Sequence, residues 1–256
     1  MSKSTDTMSA RLTAHLKELH LPTVRDRFEK LAETARQEDM SYEAYLLALC
    51  QGECEVRRQN RIERFLRESR LPREKTLEAL DLKRLGRKVR LQVDTLVEGS
   101  FLDRRENILA FGNPGSGKTH LLCAIGQQLI HAGRRVYFTP CSLLVQELLR
   151  AKHDLKLDRF IKRLTKFDAL IIDDIGYVQH DRDEMEVLFT LLAERYERGS
   201  IMLTSNLPFS QWERIFKDPM TTAAAIDRLI HHSVILELNL SSYRMEHAKK
   251  TKKEEK

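Results

Sequence analysis

The sequence contains few of the residues that mark disulfide-rich, fibrous and membrane-spanning proteins. Its 256 residues include only four cysteines, six prolines and ten glycines. So little glycine and proline excludes a collagen-like or low-complexity chain, and a composition of 41% apolar and 32% charged residues is typical of a helix-rich globular protein. No stretch approaches the roughly 18 consecutive apolar residues that a membrane span requires. The length allows one α/β nucleotide-binding domain and a smaller second domain.

The cysteines lack the spacing of a disulfide framework or a zinc site. Cys50, Cys54, Cys123 and Cys141 form no CxxC pair and have no histidine at zinc-ligand spacing. We therefore predict buried, reduced thiols. The first twelve residues have no apolar core behind their charges and do not resemble a secretory signal. These features together lead us to expect a cytoplasmic protein.

Two kinds of periodicity divide the chain. Residues 1–81 carry apolar stripes at helical spacing, interrupted at Pro22 and ended by Pro72, so we predict a small all-α N-terminal domain with a hinge from Pro72 to about Leu82. From Asn107, short apolar runs alternate with amphipathic helices, which predicts a parallel sheet flanked by helices over residues 82–248. The five strand candidates are NILAF, RRVYFT, ALIID, SIMLTS and SVILEL. Residues 249–256 read as a charged tail.

A phosphate-binding loop directly follows the first strand candidate. Residues 112–119, GNPGSGKT, satisfy the pattern G-x-x-x-x-G-K-[ST] and precede the apolar helix HLLCAIGQQLI. The glycines let backbone N–H groups point at phosphate oxygens, and the helix adds its positive N-terminal end. We expect Lys118 to reach the β- and γ-phosphates of ATP and the Thr119 hydroxyl to ligate Mg²⁺. The predicted ATP-binding residues are Gly112, Asn113, Pro114, Gly115, Ser116, Gly117, Lys118, Thr119 and His120.

A second element supports the phosphate site. The strand candidate ALIID ends on Asp173, and the carboxyl edge of a parallel sheet is where α/β proteins bind ligands. We expect Asp173 to hold Mg²⁺ through water. The adjacent Asp174 is the candidate base that orients the attacking water.

Positive charge is concentrated rather than spread along the chain. The net charge is +6, yet residues 57–90 alone carry thirteen Lys or Arg against five acids. Such a concentration favours a polyanion as partner. Two stripes are the candidate DNA contacts: Arg57, Arg61 and Arg64 at helical spacing, and Arg150, Lys152, Lys156, Arg159, Lys162, Arg163 and Lys166 between two strand candidates. The competing interpretation of each stripe is a solvated helix face.

The order of these motifs resembles that of the AAA+ ATPases. The resemblance rests on GNPGSGKT, on ALIIDDIG at 169–176, on the TSN ending at Asn206 and on the SYR ending at Arg244. It is strongest with the IstB-like branch, transposition helper proteins of insertion sequences, which is similar to the DnaC-type helicase loaders. The likeness covers almost the whole chain, including LPTVRDRFEKL and SYEAYLLALCQGE near its start. It implies that residues 82–248 form an AAA+ ATPase domain and that residues 1–81 serve assembly.

The resemblance also implies roles that spacing alone does not assign. Asn206 matches the polar residue that positions water near the γ-phosphate. Arg228, in AIDRLI, matches the arginine finger that reaches a neighbouring subunit's ATP, and Arg244 matches a second arginine that senses the γ-phosphate. Most AAA+ proteins have glutamate where this chain has Asp174, so its role as base departs from the common pattern. Each arginine taken alone would fit a surface ion pair.

The implied function is ATP-dependent regulation of transposition. Such a protein would form a homo-oligomer with ATP between subunits, assemble on double-stranded target DNA at the nucleoid, and stimulate a partner transposase. A loader of a replicative helicase is the alternative, since its ATPase core would look the same. A stand-alone small-molecule kinase sharing the P-loop is a third possibility, which Arg228 and the lack of a recognisable acceptor pocket weigh against.

Overall fold

Helices and strands alternate along the chain as the sequence pattern predicts. The computed structural model of the protein describes residues 2–176, 182–216, 219–240 and 242–243. The helices are α1 Ser2–Glu18, α2 Pro22–Gln37, α3 Tyr42–Glu68, α4 Arg87–Val97, α5 Ser100–Asp103, α6 Lys118–His131, α7 Cys141–His153, α8 Leu157–Leu164, α9 Arg182–Arg195, α10 Glu213–Phe216 and α11 Pro219–Ile230. The strands are β1 Asn107–Gly112, β2 Val136–Pro140, β3 Ala169–Asp173, β4 Ser200–Ser205 and β5 Ser233–Leu238. Single 3₁₀ turns cover Leu82–Arg84 and Phe209–Gln211.

The N-terminal helices begin and end where local sequence signals place them. Pro22 is the first residue of α2, a position where its missing N–H costs nothing. The next two N–H groups of the helix, those of Thr23 and Val24, donate to the buried carboxylate of Glu53 on α3, at 2.9 and 3.2 Å. Helix α3 begins after Ser41, whose hydroxyl accepts the Ala44 N–H at 3.2 Å.

The five strands form one parallel sheet in the order β2-β3-β4-β1-β5. The predicted parallel α/β fold is therefore confirmed. Helices α7, α8, α9 and α11 contribute to the apolar core that covers one face of the sheet. Helix α6 lies against the other face, where Gly126 approaches Ile171 of β3. Because all strands run in the same direction, the turns that follow them converge at the carboxyl edge of the sheet.

The backbone contacts divide into two compact units, Met1–Arg64 and Phe65–Lys256. The sequence places the domain boundary after residue 81 instead. Residues 65–81, which include most of the hinge expected from Pro72 to about Leu82, pack on the α/β unit: the Ser69 carbonyl accepts the Phe138 N–H at 2.7 Å, and Gln127 donates to the Pro72 carbonyl at 2.9 Å. Among the described residues, none of the helices combines the length and apolar character needed to cross a bilayer.

The cysteines divide into two classes. Cys123 and Cys141 are buried free thiols, as predicted, and burial raises the pKa of each to about 12. Both are therefore protonated and unreactive at neutral pH. The prediction of burial is wrong for Cys50 and Cys54, which are exposed free thiols one turn apart on α3. The neighbouring residues Leu49 and Glu53 are buried, so the two cysteines lie outside the buried face of α3.

A buried arginine joins α9 to the sheet. The Arg195 side chain, in a residue only 2% exposed, donates to four carbonyl oxygens at 2.9 to 3.2 Å, and burial lowers its pKa to about 10. The acceptors are Leu164, Phe167, Asp168 and Ser200. A Cβ atom on Gly199 would lie 2.5 Å from the guanidinium. Glycine is thus required at 199 by the close approach of Arg195.

Replacing Arg195 with methionine should lower the free energy of unfolding by about 3 kcal/mol, because four hydrogen bonds from a largely buried guanidinium are lost. Chemical denaturation measures the loss. The matched control is Arg198→Met, since Arg198 is an exposed partner of Glu194 worth less than about 1 kcal/mol. Equal losses in the two variants would show that the Arg195 bonds do not stabilise the unit.

Candidate nucleotide-binding site

The P-loop lies between β1 and α6, as the sequence predicts. Gly112 has φ +149°, and a Cβ atom there would approach the Leu238 carbonyl oxygen of β5 to 2.2 Å. Only glycine fits this position. Gly117 has φ +95° and directly precedes α6, whose first residue is Lys118. The N–H groups of the first turn of α6 thus face the loop, which suits an anion.

The side chains of the loop are arranged to bind phosphate. Lys118 Nζ donates to the carbonyl oxygens of Gly112 and Asn113, at 2.8 and 3.0 Å, and the residue is only 8% exposed. Its ammonium is thereby held at the loop itself. The Ser116 hydroxyl oxygen is buried and has no hydrogen-bond partner within the described part of the chain. A buried polar atom without a partner is costly, so it suits a ligand that supplies one.

Two predicted metal ligands lie together at the carboxyl edge of the sheet. The Thr119 hydroxyl donates to Asp173 Oδ1 at 2.7 Å, which joins the start of α6 to the end of β3. Hydroxyl and carboxylate oxygens are the ligands that Mg²⁺ prefers. The donor set therefore fits the expected ion.

Thr204, at the end of β4, hydrogen-bonds both aspartates, a role that its place in the TSN motif does not predict. Its hydroxyl donates to Asp173 Oδ1 and accepts the Asp174 N–H, each at 2.7 Å. Its carbonyl oxygen accepts the Ile175 N–H at 3.1 Å. Asp174 has φ +64°, an uncommon conformation for a residue other than glycine, and the Thr204 bond fixes it. Only the pairing of β3 with β4 reveals this residue.

The predicted water-positioning residue lies beside this cluster. Asn206 follows β4, and its side-chain oxygen lies close to Gly176, where a Cβ atom would come within 2.6 Å of it. That oxygen is buried and has no hydrogen-bond partner in the ranges that the structure describes. It is therefore available to a water molecule or ligand.

A cavity of about 190 Å³ adjoins the P-loop and was not foreseen from the sequence. His120 Nε2 lies 2.8 Å from the Thr76 carbonyl oxygen, and the Tyr243 N–H donates to the Gly115 carbonyl at 3.0 Å. The Arg84 guanidinium lies 5.2 Å from the Tyr243 ring centre. The lining residues are Lys75, Ala79, Leu80, Asp81, Arg84, Leu85, Gly115, Ser116, Gly117, Lys118, Thr119, His120, Leu240 and Tyr243. Part of the basic stretch 57–90 thus lines the nucleotide site.

The two arginines that the resemblance implies have different outcomes. Arg228 lies on α11, where its guanidinium donates to the Ala224 carbonyl at 2.9 Å and stacks 4.9 Å from the Phe189 ring centre. These contacts hold the half-buried Arg228 side chain against its own chain. Arg244 lies outside the described residues. Its role and that of Arg228 remain predictions.

Most of the second basic stripe lines one groove between α7 and α8. The groove has a volume of about 820 Å³, and Arg70 and Glu147 contribute to its wall. Its predicted DNA-binding residues are Arg150, Lys156, Arg159, Lys162, Arg163 and Lys166. Lys152 does not line it and pairs with Glu186 at 3.0 Å.

The first basic stripe lies on α3, in the other unit. Arg57 stabilises the N-terminal helices, because it donates to Glu53 at 2.7 Å and to the His20 carbonyl. Arg61 and Arg64 are exposed. The role of all three in DNA binding remains a prediction.

Comparison with solved structures identifies the fold. The chain superposes on AMPPCP-bound DnaA from Aquifex aeolicus with a TM-score of 0.56 and 20% identity, covering 73% of this chain and 57% of that chain. It superposes on DnaI with a TM-score of 0.55 and 20% identity, covering 66% of this chain and 95% of the other. At this identity the likeness shows the AAA+ fold alone.

Sequence comparison identifies the family. An insertion sequence ATP-binding protein of Sinorhizobium fredii is 45% identical over 95% of this chain and 82% of its own length. The ATP-binding protein of insertion sequence IS5376 from Geobacillus stearothermophilus is 37% identical over 93% of this chain and 95% of its own length. The model of the IstB-like ATP binding protein family matches residues 14–251. The chain therefore belongs to the IstB-like ATP-binding proteins, with a P-loop and a parallel sheet of the AAA+ type.

Proposed function

We propose that this protein hydrolyses ATP between its subunits, assembles on double-stranded target DNA and stimulates a partner transposase. The main observation that supports this proposal is the cluster at the carboxyl edge of the sheet, in which Thr119 and Thr204 both donate to Asp173. The two proposed metal ligands and the Asp174 backbone thus belong to one hydrogen-bonded group, which supports the proposal. The relatives described as insertion sequence ATP-binding proteins support the link with transposition.

The proposed hydrolysis step assigns a role to each of these side chains. Thr119 and Asp173 would hold Mg²⁺, which neutralises charge on the β- and γ-phosphate oxygens when bound. Lys118 adds a positive charge at the same oxygens. Asn206 and Asp174 orient a water molecule, whose oxygen bonds to the γ-phosphorus as the bond from that phosphorus to the β–γ bridging oxygen breaks. Asp174 accepts the proton of the water, and the products are ADP and phosphate.

Arg228 would supply the remaining charge from a neighbouring subunit. Its guanidinium is held on α11 by the Ala224 carbonyl and the Phe189 ring, both of its own chain. An approaching γ-phosphate offers two charged oxygens in place of one neutral carbonyl, which is a stronger partner for the planar guanidinium. ATP bound at one P-loop would therefore attract the next subunit, and hydrolysis would weaken that contact.

The groove between α7 and α8 is the DNA-binding surface of this proposal. It carries six of the predicted contacts, and Arg163 also stacks on Phe160 at 4.7 Å from the ring centre. Such a surface binds phosphates without reading the base sequence, and its affinity falls steeply with salt.

Replacing Arg159 and Arg163 with alanine should weaken binding to duplex DNA roughly 30-fold at about 0.15 M salt, since two phosphates are no longer neutralised. The slope of log K against log[salt] should fall by about 2. Fluorescence anisotropy with ATP present measures both quantities. Arg104→Ala with Arg134→Ala is the matched control, because these exposed arginines pair with Glu106 and Asp103 outside the groove. An unchanged slope in the groove variant would exclude the groove from DNA binding.

The proposed coupling is tested by measuring ATPase rate and assembly on duplex DNA together. Wild-type protein should assemble on DNA with ATP and dissociate as ATP is consumed. Lys118→Ala should neither hydrolyse ATP nor assemble. Addition of the transposase should then raise strand transfer only under assembling conditions. A helicase loader would instead leave strand transfer unchanged and alter the loading of a replicative helicase. That result would replace the proposed function with the alternative.

A further inference from the structure

Three potential metal ligands meet at the edge of the sheet opposite the P-loop. Glu197 lies in the turn before β4, and His231 and His232 form the turn between α11 and β5. Each offers a ligand atom, and these atoms all lie within 4.8 Å of one another. The strands are parallel, so turns that precede β4 and β5 are on the far side of the sheet from the loop that follows β1. The cluster is therefore separate from the ATP site.

Buried hydrogen bonds fix the backbone around the three ligands. Asn107, the first residue of β1, is 7% exposed and bonds three neighbouring segments. Its N–H donates to the His232 carbonyl at 2.9 Å, its side-chain nitrogen donates to the Leu229 carbonyl at 3.1 Å, and its side-chain oxygen accepts the Ile201 N–H at 2.8 Å. Arg105 donates to the Glu197 carbonyl. The two turns are thus held together without any ligand.

The ring of His231 has a partner that suits a metal ligand. The Tyr196 hydroxyl oxygen lies 2.8 Å from His231 Nδ1, and the His231 and His232 ring centres are 3.9 Å apart. Metal-binding histidines use one nitrogen for the ion and donate the other N–H to an oxygen. With Nδ1–H donated to Tyr196, the lone pair of His231 Nε2 is available to an ion.

We propose that Glu197, His231 and His232 bind one Zn²⁺ ion, with water completing the coordination. Two imidazole nitrogens and one carboxylate oxygen form a donor set that Zn²⁺ accepts and that Mg²⁺ and Ca²⁺ do not prefer. Tetrahedral bonds of about 2.0–2.2 Å set ligand atoms roughly 3.4 Å apart. The ligand atoms already lie within 4.8 Å of one another, and rotation of the exposed side chains would bring them to this separation.

The bound ion would join two elements that position Arg228. Glu197 follows α9, and His231 follows α11. These two helices already contact through Arg228 and the Phe189 ring. An ion that links their C-terminal ends restrains the pair from the side opposite the ATP site. Binding of the ion itself does not depend on the proposed ATPase mechanism.

Zinc titration of the full chain tests this site in a Cys50→Ser, Cys54→Ser background. That background is needed because the two exposed thiols, one turn apart on α3, would themselves bind zinc. In calorimetry with Zn²⁺ and excess Mg²⁺, the Cys50→Ser, Cys54→Ser protein, which is the parent of the variants below, should bind one ion at this site. Zinc at about 100 times the dissociation constant should raise the melting temperature by roughly 5 °C. Substituted Co²⁺ should show the visible absorption of tetrahedral coordination.

Two variants and one control separate this site from other zinc binding. His232→Asn removes one ligand but tolerates the φ of +56° found there, and it should weaken binding roughly 100-fold or more. Tyr196→Phe should weaken it roughly tenfold by removing the partner of Nδ1. His153→Asn, at an exposed histidine beside Asp154, should change nothing. Equal affinity and stoichiometry in His232→Asn and the parent, or no zinc bound by the parent, would overturn the proposal.

Discussion

Replacing Arg228 with alanine should lower the kcat of ATP hydrolysis by roughly 10³-fold, because a finger arginine stabilises charge that develops only in the transition state. The affinity of the unassembled chain for ATP should change little, since no residue of its own P-loop is altered. Within the described part of its own chain, the arginine donates one bond to the Ala224 carbonyl and stacks on Phe189, so its removal should leave the fold intact. Steady-state ATPase rates and nucleotide binding measure the two effects separately.

The conservative variant Arg228→Lys is the control for charge alone. Lysine keeps the positive charge but lacks the planar fork that grips two phosphate oxygens, so it should recover only part of the rate. Its stability should match that of Arg228→Ala. If assembled Arg228→Ala hydrolysed ATP at the wild-type rate, Arg228 would not be the residue that stabilises the transition state.

Replacing Thr204 with valine should lower kcat roughly 10²-fold while leaving ATP binding nearly unchanged. Valine preserves the shape of threonine but removes the hydroxyl that donates to Asp173 and accepts the Asp174 N–H. Asp174 then loses the bond that fixes its φ of +64°, and a misplaced carboxylate orients water poorly. Single-turnover hydrolysis with saturating ATP and Mg²⁺ measures the chemical step directly.

Thr204→Ser is the matched control for this prediction. Serine keeps the hydroxyl and loses only a methyl group, so its hydrolysis rate should remain within a few-fold of wild type. In the proposed mechanism, Thr204 positions the two aspartates and does not itself contact the reacting atoms. If valine raised the KM for ATP and left kcat intact, Thr204 would support nucleotide binding and not the chemistry.

Local patterns explain which features the sequence predicts correctly. Each of the five strands is a short apolar run bounded by charged or turn residues, and the P-loop is a contiguous motif with strong backbone requirements. Pro22 and Ser41 mark helix starts through their own chemistry. Signals of this kind are complete within a few residues, so one chain suffices to find them.

Features that depend on strand order and packing are not visible in the sequence. Thr204 gains its role only because β3 pairs with β4, so that its hydroxyl lies beside Asp173. The sequence predicts a hinge over most of residues 75–85, yet several residues of this segment line the cavity beside the P-loop. Two side chains of α6 hold the segment there: His120 contacts the Thr76 carbonyl, and Gln127 donates to the Pro72 carbonyl. Sequence spacing carries no information about such distant contacts.

Charge patterns have the same limitation. The second basic stripe is periodic along the sequence, but the fold directs Lys152 to Glu186 and most of the others into one groove. In the first stripe, Arg57 supports the carboxylate that caps α2. A basic side chain on a helix can bind a ligand or pair with another residue of its own chain. Only its neighbours in the folded protein distinguish these two roles.

In the proposed mechanism a complete ATP site needs residues from two subunits, and mixing two inactive variants tests this requirement most directly. Asp174→Asn retains Arg228 but cannot orient the water, whereas Arg228→Ala retains the catalytic cluster but lacks the finger. Each should be inactive alone. Mixed in equal amounts with DNA and ATP, they should recover roughly a quarter of the wild-type rate, because about one interface in four pairs an intact cluster with an intact finger in a head-to-tail assembly. Mixing Arg228→Ala with the double variant should recover nothing. No recovery in the first mixture, although both variants assemble, would contradict an ATP site shared between subunits.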